Sequence, residues 1–392
     1  VIDPASGELI DEALCTVMRG PRSYTGEDVV EISCHGSPVV LRRVLSLLRA
    51  RGVRLAEPGE FTRRAYENGR LDLAQAEAVV ALIGARTERA AALAVRSLSG
   101  GLSERLARVR ERLLDLVAGL EVALDFPDEH VGLEGIDAAK TATELAEDVE
   151  GLLHAVGDGR IIQEGLTVVI VGAANAGKSS LLNRLLESDR AIVSPTPGTT
   201  RDVIEGWLTV DGVPVRLIDT AGLGETADPI EAEGMRRAMQ VAERSDLALV
   251  VVDGHRPELA ASLPALASQM TVINKADLPQ DPTTAGVEGL RVSALTGQGI
   301  DALSEALRAW VGGRLSSDAE EAGLTASVRQ IAELESLRES LGRGSAALAA
   351  DVPIEAALVD LRAAMRHARA VVGADLPEIV LDRIFSTFCL GK

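Results

Sequence analysis

Residues Gly172–Ser180 read GAANAGKSS, preceded by the apolar run LTVVIV (Leu166–Val171) and followed by LLNRLL (Leu181–Leu186). Gly172, Gly177, Lys178 and Ser179 stand where the pattern G-x-x-x-x-G-K-[ST] requires them. A buried strand that passes through a glycine-rich turn into a helix aims several backbone N–H groups at one point, which suits a polyphosphate. Lys178 can reach the β- and γ-phosphates, and the Ser179 hydroxyl can ligate Mg²⁺. Alone, the glycine pattern is equally an ordinary strand-to-helix turn. Four later signatures, in the order of a nucleotide switch, argue against that plainer account.

PGTTRD (Pro197–Asp202) reads as a loop whose Thr200 supplies a second Mg²⁺ ligand. VRLIDTAG (Val215–Gly222) ends a strand at Asp219, which would hold Mg²⁺ through water, and turns at Gly222, whose N–H would sense the γ-phosphate. MTVINKAD (Met270–Asp277) ends another strand in Asn274 and Lys275, and the Asp277 carboxylate can accept both N1–H and N2–H of guanine. Adenine lacks that donor edge, and a site built around it rejects the analogue that cannot fill it. RVSALTG (Arg291–Gly297) places the Ser293 and Ala294 backbone over guanine O6. These motifs put Asn175, Ala176, Gly177, Lys178, Ser179, Ser180, Pro197, Gly198, Thr199, Thr200, Asp219, Thr220, Ala221, Gly222, Asn274, Lys275, Asp277, Ser293 and Ala294 on the nucleotide. Strands alternating with helices predict a parallel, doubly wound sheet.

The 392 residues suggest two or three domains. Aromatic residues make up only 2%, so Ala, Leu and Val must do most of the core packing. No continuous apolar run is long enough to span a bilayer, and no signal peptide is visible. Cys15, Cys34 and Cys389 form neither a disulfide framework nor a zinc spacing, so a cytoplasmic location is expected. His130, His154, His255 and His367 show no metal spacing, and His35 reads as a turn residue. A net charge of −19 opposes tight non-specific nucleic-acid binding, so an RNA contact would need a local basic patch. Arg362, Arg366 and Arg369 form one such stripe, although a solvated helix face is the default reading of it. The chain opens on Val1 with no initiator Met and reads as lacking an N-terminal segment.

Residues 1–70 read as mixed α/β: DVVEIS (Asp28–Ser33) a strand, Val39–Gly52 a helix, and VRLAEPGEF (Val53–Phe61) a returning strand and turn. From Leu71 the sequence becomes a strong helix former. Leu102, Leu106, Val109, Leu113, Leu116 and Leu120 recur at spacings of four and three, one apolar stripe on a long helix that stops at Asp125. More helix is predicted from about Ala138 to Val156, and again after residue 315. An intact α/β unit between two helical stretches suggests an insertion, with the two helical pieces forming one bundle.

These residues resemble the MnmE (TrmE) family of tRNA-modification GTPases. The likeness rests on YTGEDVVEISCHGSP (Tyr24–Pro38), PGEFTRRAYENGRLDLAQAEAV (Pro58–Val79), DFPDE (Asp125–Glu129), GAANAGKSSLLN (Gly172–Asn183), PGTTRDV (Pro197–Val203) and FCLGK (Phe388–Lys392). It implies an α/β tetrahydrofolate-binding and dimerisation domain (1–70), a Ras-like P-loop GTPase domain (165–314) inserted in a discontinuous helical domain (71–164 and 315–392), and a homodimer. It also implies a flavoprotein partner, MnmG (GidA), in a heterotetrameric or larger complex. With it, such proteins build a carboxymethylaminomethyl-type group on C5 of the wobble uridine of certain tRNAs. The one-carbon unit comes from 5,10-methylene- or 5-formyl-tetrahydrofolate.

Ras-like switches place a Gln after DTAG to orient water; here that position is Leu223. The resemblance assigns the role to Glu231, in GETADPIEAEG (Gly224–Gly234). It also implies that Ser194, Pro195 and Thr196 contact the nucleotide, and that a K⁺ ion is held by Asn175 and by main-chain oxygens near Ser194 and Thr196, with Thr199. A cation there neutralises developing charge as an arginine finger does. Without the family match, Glu231 would read as a solvated acid and Asn175 as a turn-former. Glu31, Arg70 and Lys392 match folate-contact positions, and Cys389 in the same tail is a candidate functional thiol, although a free Cys is more often a small buried hydrophobe. The family often has Pro at Ala174 and Lys at Arg70, and its start, absent here, carries an Arg that helps hold folate. A ribosome-assembly switch that only docks RNA is the alternative; its expected basic charge and appended RNA-binding domain are not visible. A folate-dependent one-carbon transferase with a regulatory GTPase domain overlaps the first reading.

Overall fold

β1 (Leu14–Met18) and β2 (Val29–Ser33) open the chain as an antiparallel pair, with Leu14 opposite Ser33 and Met18 opposite Val29. The computed structural model describes residues 1–126, 137–173, 175–188, 204–219, 241, 243–256, 268–316, 319, 323–350, 352–374, 376–389 and 391. α1 (Pro38–Ala50) starts with a proline in its first turn, where the missing N–H costs nothing. Residues 53–58 join neither sheet, contrary to the returning strand expected there. Gly59 (φ 70°) instead turns the chain into α2 (Glu60–Glu67), and a Cβ at that position would come within 2.6 Å of the Phe385 carbonyl. This crowding at a left-handed position explains why glycine stands there.

The helical stretch predicted from Leu71 is broken into α3 (Leu73–Gly84) and α4 (Glu88–Leu98). Thr87 makes the break by accepting the Ala90 N–H on its hydroxyl at 3.1 Å, an N-cap that starts α4. α5 (Gly101–Asp125) buries Leu102, Leu106, Val109, Leu113, Leu116 and Leu120, the whole predicted stripe. α6 (Ala138–Glu164) runs past Val156, where the sequence reading ends it. Gly159 looks like a helix breaker in sequence, yet a side chain there would collide with the Leu324 carbonyl. The remaining helices are α7 (Lys178–Ser188), α8 (Ile300–Gly312), α9 (Val328–Ala349), α10 (Ile354–Val371) and α11 (Glu378–Phe385).

Two compact units result: Val1–Val80, Arg96–Leu153 and Ala326–Lys392 in one, Ala81–Val95 and His154–Thr325 in the other. The late helices therefore share a unit with the early ones. Within the first unit, α9 and α10 pack through Leu334, Leu337 and Leu341 and through Ala357, Leu358 and Leu361. A half-buried ion pair, Glu77–Arg329 at 3.0 Å, ties α3 to α9, and Arg329 also donates to the Ala370 carbonyl of α10 at 2.6 Å. Burial pushes the Glu77 carboxyl up, against the opposing pull of Arg329. No helix among the described residues is long and apolar enough to cross a membrane.

The second unit holds a six-stranded sheet in the order β4-β5-β3-β6-β7-β8: β3 (Leu166–Gly172), β4 (Ile204–Val210), β5 (Val213–Asp219), β6 (Leu247–Asp253), β7 (Gln269–Asn274) and β8 (Leu290–Arg291). Five strands are parallel, and the edge strand β4 runs antiparallel to β5, which corrects the all-parallel expectation. The physical cause is the two-residue turn at Asp211 and Gly212 (φ 48° and 78°), which is too short for a crossover. Val168 and Ile170 of β3 join one apolar cluster, while Val169 and Val171 join another. The strand is therefore buried on both faces, as its unbroken run of apolar residues requires. Residues of the 81–95 segment lie on the β4–β5 hairpin. The Arg86 guanidinium sits 3.7 Å from the Trp207 ring centroid, and the Thr87 hydroxyl donates to Gly212 O at 2.7 Å.

Candidate nucleotide-binding site

Because β3, β5, β6 and β7 run parallel, their carboxyl ends line one edge of the sheet, the edge at which open α/β sheets bind ligands. Gly172, Asp219, Asp253 and Asn274 are the last residues of those strands. Motifs far apart in the chain are thus brought to one place by strand order.

After Gly172 the loop turns through Asn175 (φ 60°) and Gly177 (φ 91°) into α7. Asn tolerates that left-handed conformation better than most residues. Gly177 cannot carry a side chain, since a Cβ would strike the Asn274 amide nitrogen. Lys178, the first residue of α7, is only 8% exposed, and its Nζ donates to Ala173 O at 2.8 Å and Gly172 O at 3.1 Å. The ammonium is held over the loop by neutral carbonyls, which a phosphate oxygen would replace with a stronger, charged acceptor. The N–H groups of the first turn have no partner within the helix and favour an anion. Ser180 is exposed on the same turn, and Ala176 is buried.

Beside Lys178 on α7, the Ser179 hydroxyl donates to Asp219 Oδ2 at 2.5 Å. Asp219 is fully buried at the end of β5. A hydroxyl and a carboxylate oxygen in contact are the hard donors that Mg²⁺ selects.

At the other end of the site, Asn274 is 2% exposed and spans two loops. Its Nδ2 donates to Ala176 O at 2.9 Å, and its Oδ1 accepts the Ala294 N–H at 3.0 Å. One amide therefore joins the phosphate loop to the turn after β8. Lys275 (φ 62°) pairs with Asp253 Oδ2 at 2.6 Å, and the amides of His255 and Arg256 donate to the other Asp253 oxygen at 2.9 and 3.2 Å. Burial pushes the Asp253 carboxyl up, but Lys275 and the two amides outweigh it and hold the group below the usual carboxylate range. Gln280 donates to the Lys275 and Leu278 carbonyls, each at 2.9 Å, and so shapes the loop that carries Asp277. Asp277 is exposed, and its carboxylate has no hydrogen-bond partner among the described residues. Ser293 is fully buried and accepts the Thr296 N–H on its hydroxyl at 3.1 Å. The Ser293 N–H is spent on Gln298 O at 2.8 Å, so a base oxygen over this turn would share the Ala294 N–H with Asn274.

The structure thus brings together Asn175, Ala176, Gly177, Lys178, Ser179, Ser180, Asp219, Asn274, Lys275, Asp277, Ser293 and Ala294 in one unit. Ser194, Pro195, Thr196, Pro197, Gly198, Thr199, Thr200, Thr220, Ala221, Gly222, Glu231 and Lys392 lie outside the described residues, as do Ala174 and Leu223. Glu31 and Arg70 belong to the other unit and are exposed, as is Cys389, in contrast to the buried small hydrophobe that a free Cys usually is. Arg362 of the basic stripe is engaged by Glu121 at 2.8 Å. His35 sits in its turn with Nδ1 on Asp11 Oδ1 at 2.7 Å. Sequence reasoning missed Asp253 and Gln280. An acid closing the apolar run LALVVVD was a usable signal for the first; nothing local marks the second.

Residues 73–389 match the family described as MnmE helical domain, and residues 1–70 match GTP-binding protein TrmE N-terminus. A tRNA modification GTPase MnmE from Thermus thermophilus is 45% identical over all 392 residues, 88% of its own length. One from Symbiobacterium thermophilum is 48% identical over an alignment of 407 positions, again spanning the whole chain and 88% of the relative. With both family regions matched and identity of this level across its full length, the chain belongs to the MnmE (TrmE) family of tRNA modification GTPases.

Proposed function

We propose that the chain binds GTP between its phosphate loop and the Asn274–Asp277 and Ser293–Ala294 loops, and that its hydrolysis of GTP serves tRNA modification. The observation that carries this reading is Asn274, which couples the phosphate end of the site to the base end through two hydrogen bonds. Asp277 supplies the free carboxylate that selects guanine. Lys178 neutralises phosphate charge, and the α7 N-terminus supports it. Ser179 and Asp219, with Thr200, would hold Mg²⁺; when bound, the ion neutralises charge on the β- and γ-phosphates.

In the finer reading, Glu231 orients the attacking water and Asn175 contributes to a K⁺ site with Ser194, Thr196 and Thr199. Asn175 supports this by standing exposed on the loop with no side-chain partner among the described residues. The protein works as a cytoplasmic homodimer with a flavoprotein of the MnmG type. Together they add a carboxymethylaminomethyl-type group to the wobble uridine from a tetrahydrofolate one-carbon unit, with Glu31, Arg70 and Lys392 at the folate. The 1–70, 71–164, 165–314 and 315–392 division expresses this plan. Exposed apolar side chains on β1 and β2 support an interface there.

GTP turnover in KCl against NaCl at equal ionic strength tests the mechanism, with Glu231→Ala as control. The expected result is faster turnover in KCl and loss in the variant. Equal rates in the two salts would remove the K⁺ role, and a preference for ATP would remove the guanine site.

A further inference from the structure

α7 carries the phosphate contacts Lys178 and Ser179 at its start and Arg184 six residues later, about 9 Å along the axis. Arg184 belongs to none of the nucleotide motifs. Its Nε donates to Ala294 O at 3.0 Å and its Nη2 to Leu295 O at 2.7 Å. These are consecutive carbonyls of the turn that faces the base. The Ala294 residue is therefore held from both sides, its N–H by Asn274 and its carbonyl by Arg184. Two convergent donors from one planar group fix orientation in a way that a single ammonium cannot.

We infer that Arg184 is a positioning residue for base discrimination. This rests on the GTP reading above and extends it to a residue outside the motifs. Purines differ at position 6: guanine presents an oxygen acceptor there, adenine an amino donor. A turn that could swing its Ala294 and Leu295 carbonyls toward the base would accept an amino group. Arg184 turns both carbonyls to itself, so the turn presents the Ala294 N–H, shared with Asn274, to the base and penalises a donor. The guanidinium's ion pair with Glu187 at 3.4 Å lies on its exposed side and is weakened by solvent, which leaves the two directional hydrogen bonds as the main effect.

The test uses the full chain and three diphosphates. GDP carries both the 6-oxygen and the 2-amino group, IDP only the oxygen, and 2-aminopurine riboside diphosphate only the amino group. Arg184→Ala is expected to weaken GDP and IDP alike, by about tenfold, the scale of losing hydrogen bonds to a charged group. It should change the 2-aminopurine nucleotide less than about twofold, and Arg184→Lys should restore GDP binding only in part, because a point charge replaces a fork. Asp277→Ala should give a different pattern, weakening GDP more than IDP, which keeps N1–H but lacks the 2-amino donor. Equal losses for all three nucleotides, or no loss for any, would overturn the proposal. If Arg184→Ala does not fold, Arg184→Lys and Arg184→Gln are judged by the same three-way ratio. Failure of the unaltered chain to bind GDP would sink the GTP reading instead.

Discussion

The two sheets among the described residues are built from the same residue types and end in opposite surroundings. In β3, β5 and β6 the valines, leucines and isoleucines are buried almost without exception. In the β1–β2 pair Leu14 is 70% exposed, Val17 56% and Val30 58%. The difference is cover. The larger sheet has apolar clusters on both faces, drawing on α7, α8 and the far end of α6. Among the described residues, little packs on the hairpin. Apolar character makes a strand available for burial, and what lies across its faces decides whether burial happens.

The largest effect that sharpens this contrast concerns stability. Leu217→Ala, at a fully buried position of β5, should cost about 2–5 kcal/mol in urea unfolding, whereas Val30→Ala should stay within about 0.5 kcal/mol. Similar costs at the two sites would break the comparison.

Next comes Lys178→Ala. GTP turnover should fall by about 10²–10³, as when one fixed charge-stabilising donor is removed, while far-UV circular dichroism stays unchanged. A variant that retains most of its turnover would disconnect the buried edge of the large sheet from the chemistry. Asn274→Ala should follow, weakening GDP by roughly ten- to a hundredfold, because it strands the Ala176 carbonyl and the Ala294 N–H in a buried place. Direct titration with GDP measures this, and an effect below about twofold would show that the two loops hold their positions without the bridge.

The smallest effect belongs to the unit that carries the hairpin. Arg54 hydrogen-bonds Glu60, and with the Glu57 amide and the charges of Arg54 and Arg64 it overrides the penalty of burial. The Glu60 carboxyl is thereby lowered from 4.5 to about 2. A lowered carboxyl stabilises the folded state above its unfolded value and loses that contribution on acidification. Stability should therefore decline as pH falls from about 4.5 toward 2, and Glu60→Gln should flatten that part of the profile. An unchanged slope in thermal melts would remove Glu60 from the account.

Much of this was legible from residue order. The stripe on α5 was, since burial of one helix face imposes spacings of three and four. The strand–loop–helix around Lys178 was also, because glycine and lysine there answer to local geometry. The antiparallel edge strand β4 was not, because strand direction leaves no mark in an apolar pattern. Nor was the length of α6, where Gly159 answers to a crossing chain and not to a helix end.

Sequence by itself determined which strands could sit inside, where the glycine-rich loop lies and that a carboxylate stands at position 277 just after a strand end. These properties live within a few neighbouring residues. Tertiary structure alone decided that Asn274 would clasp Ala176 across 98 residues and that Arg184 would hold Ala294 across 110. Such pairings depend on strand order and helix placement, and the free energy that selects them comes from the assembled core, so no local spacing can announce them.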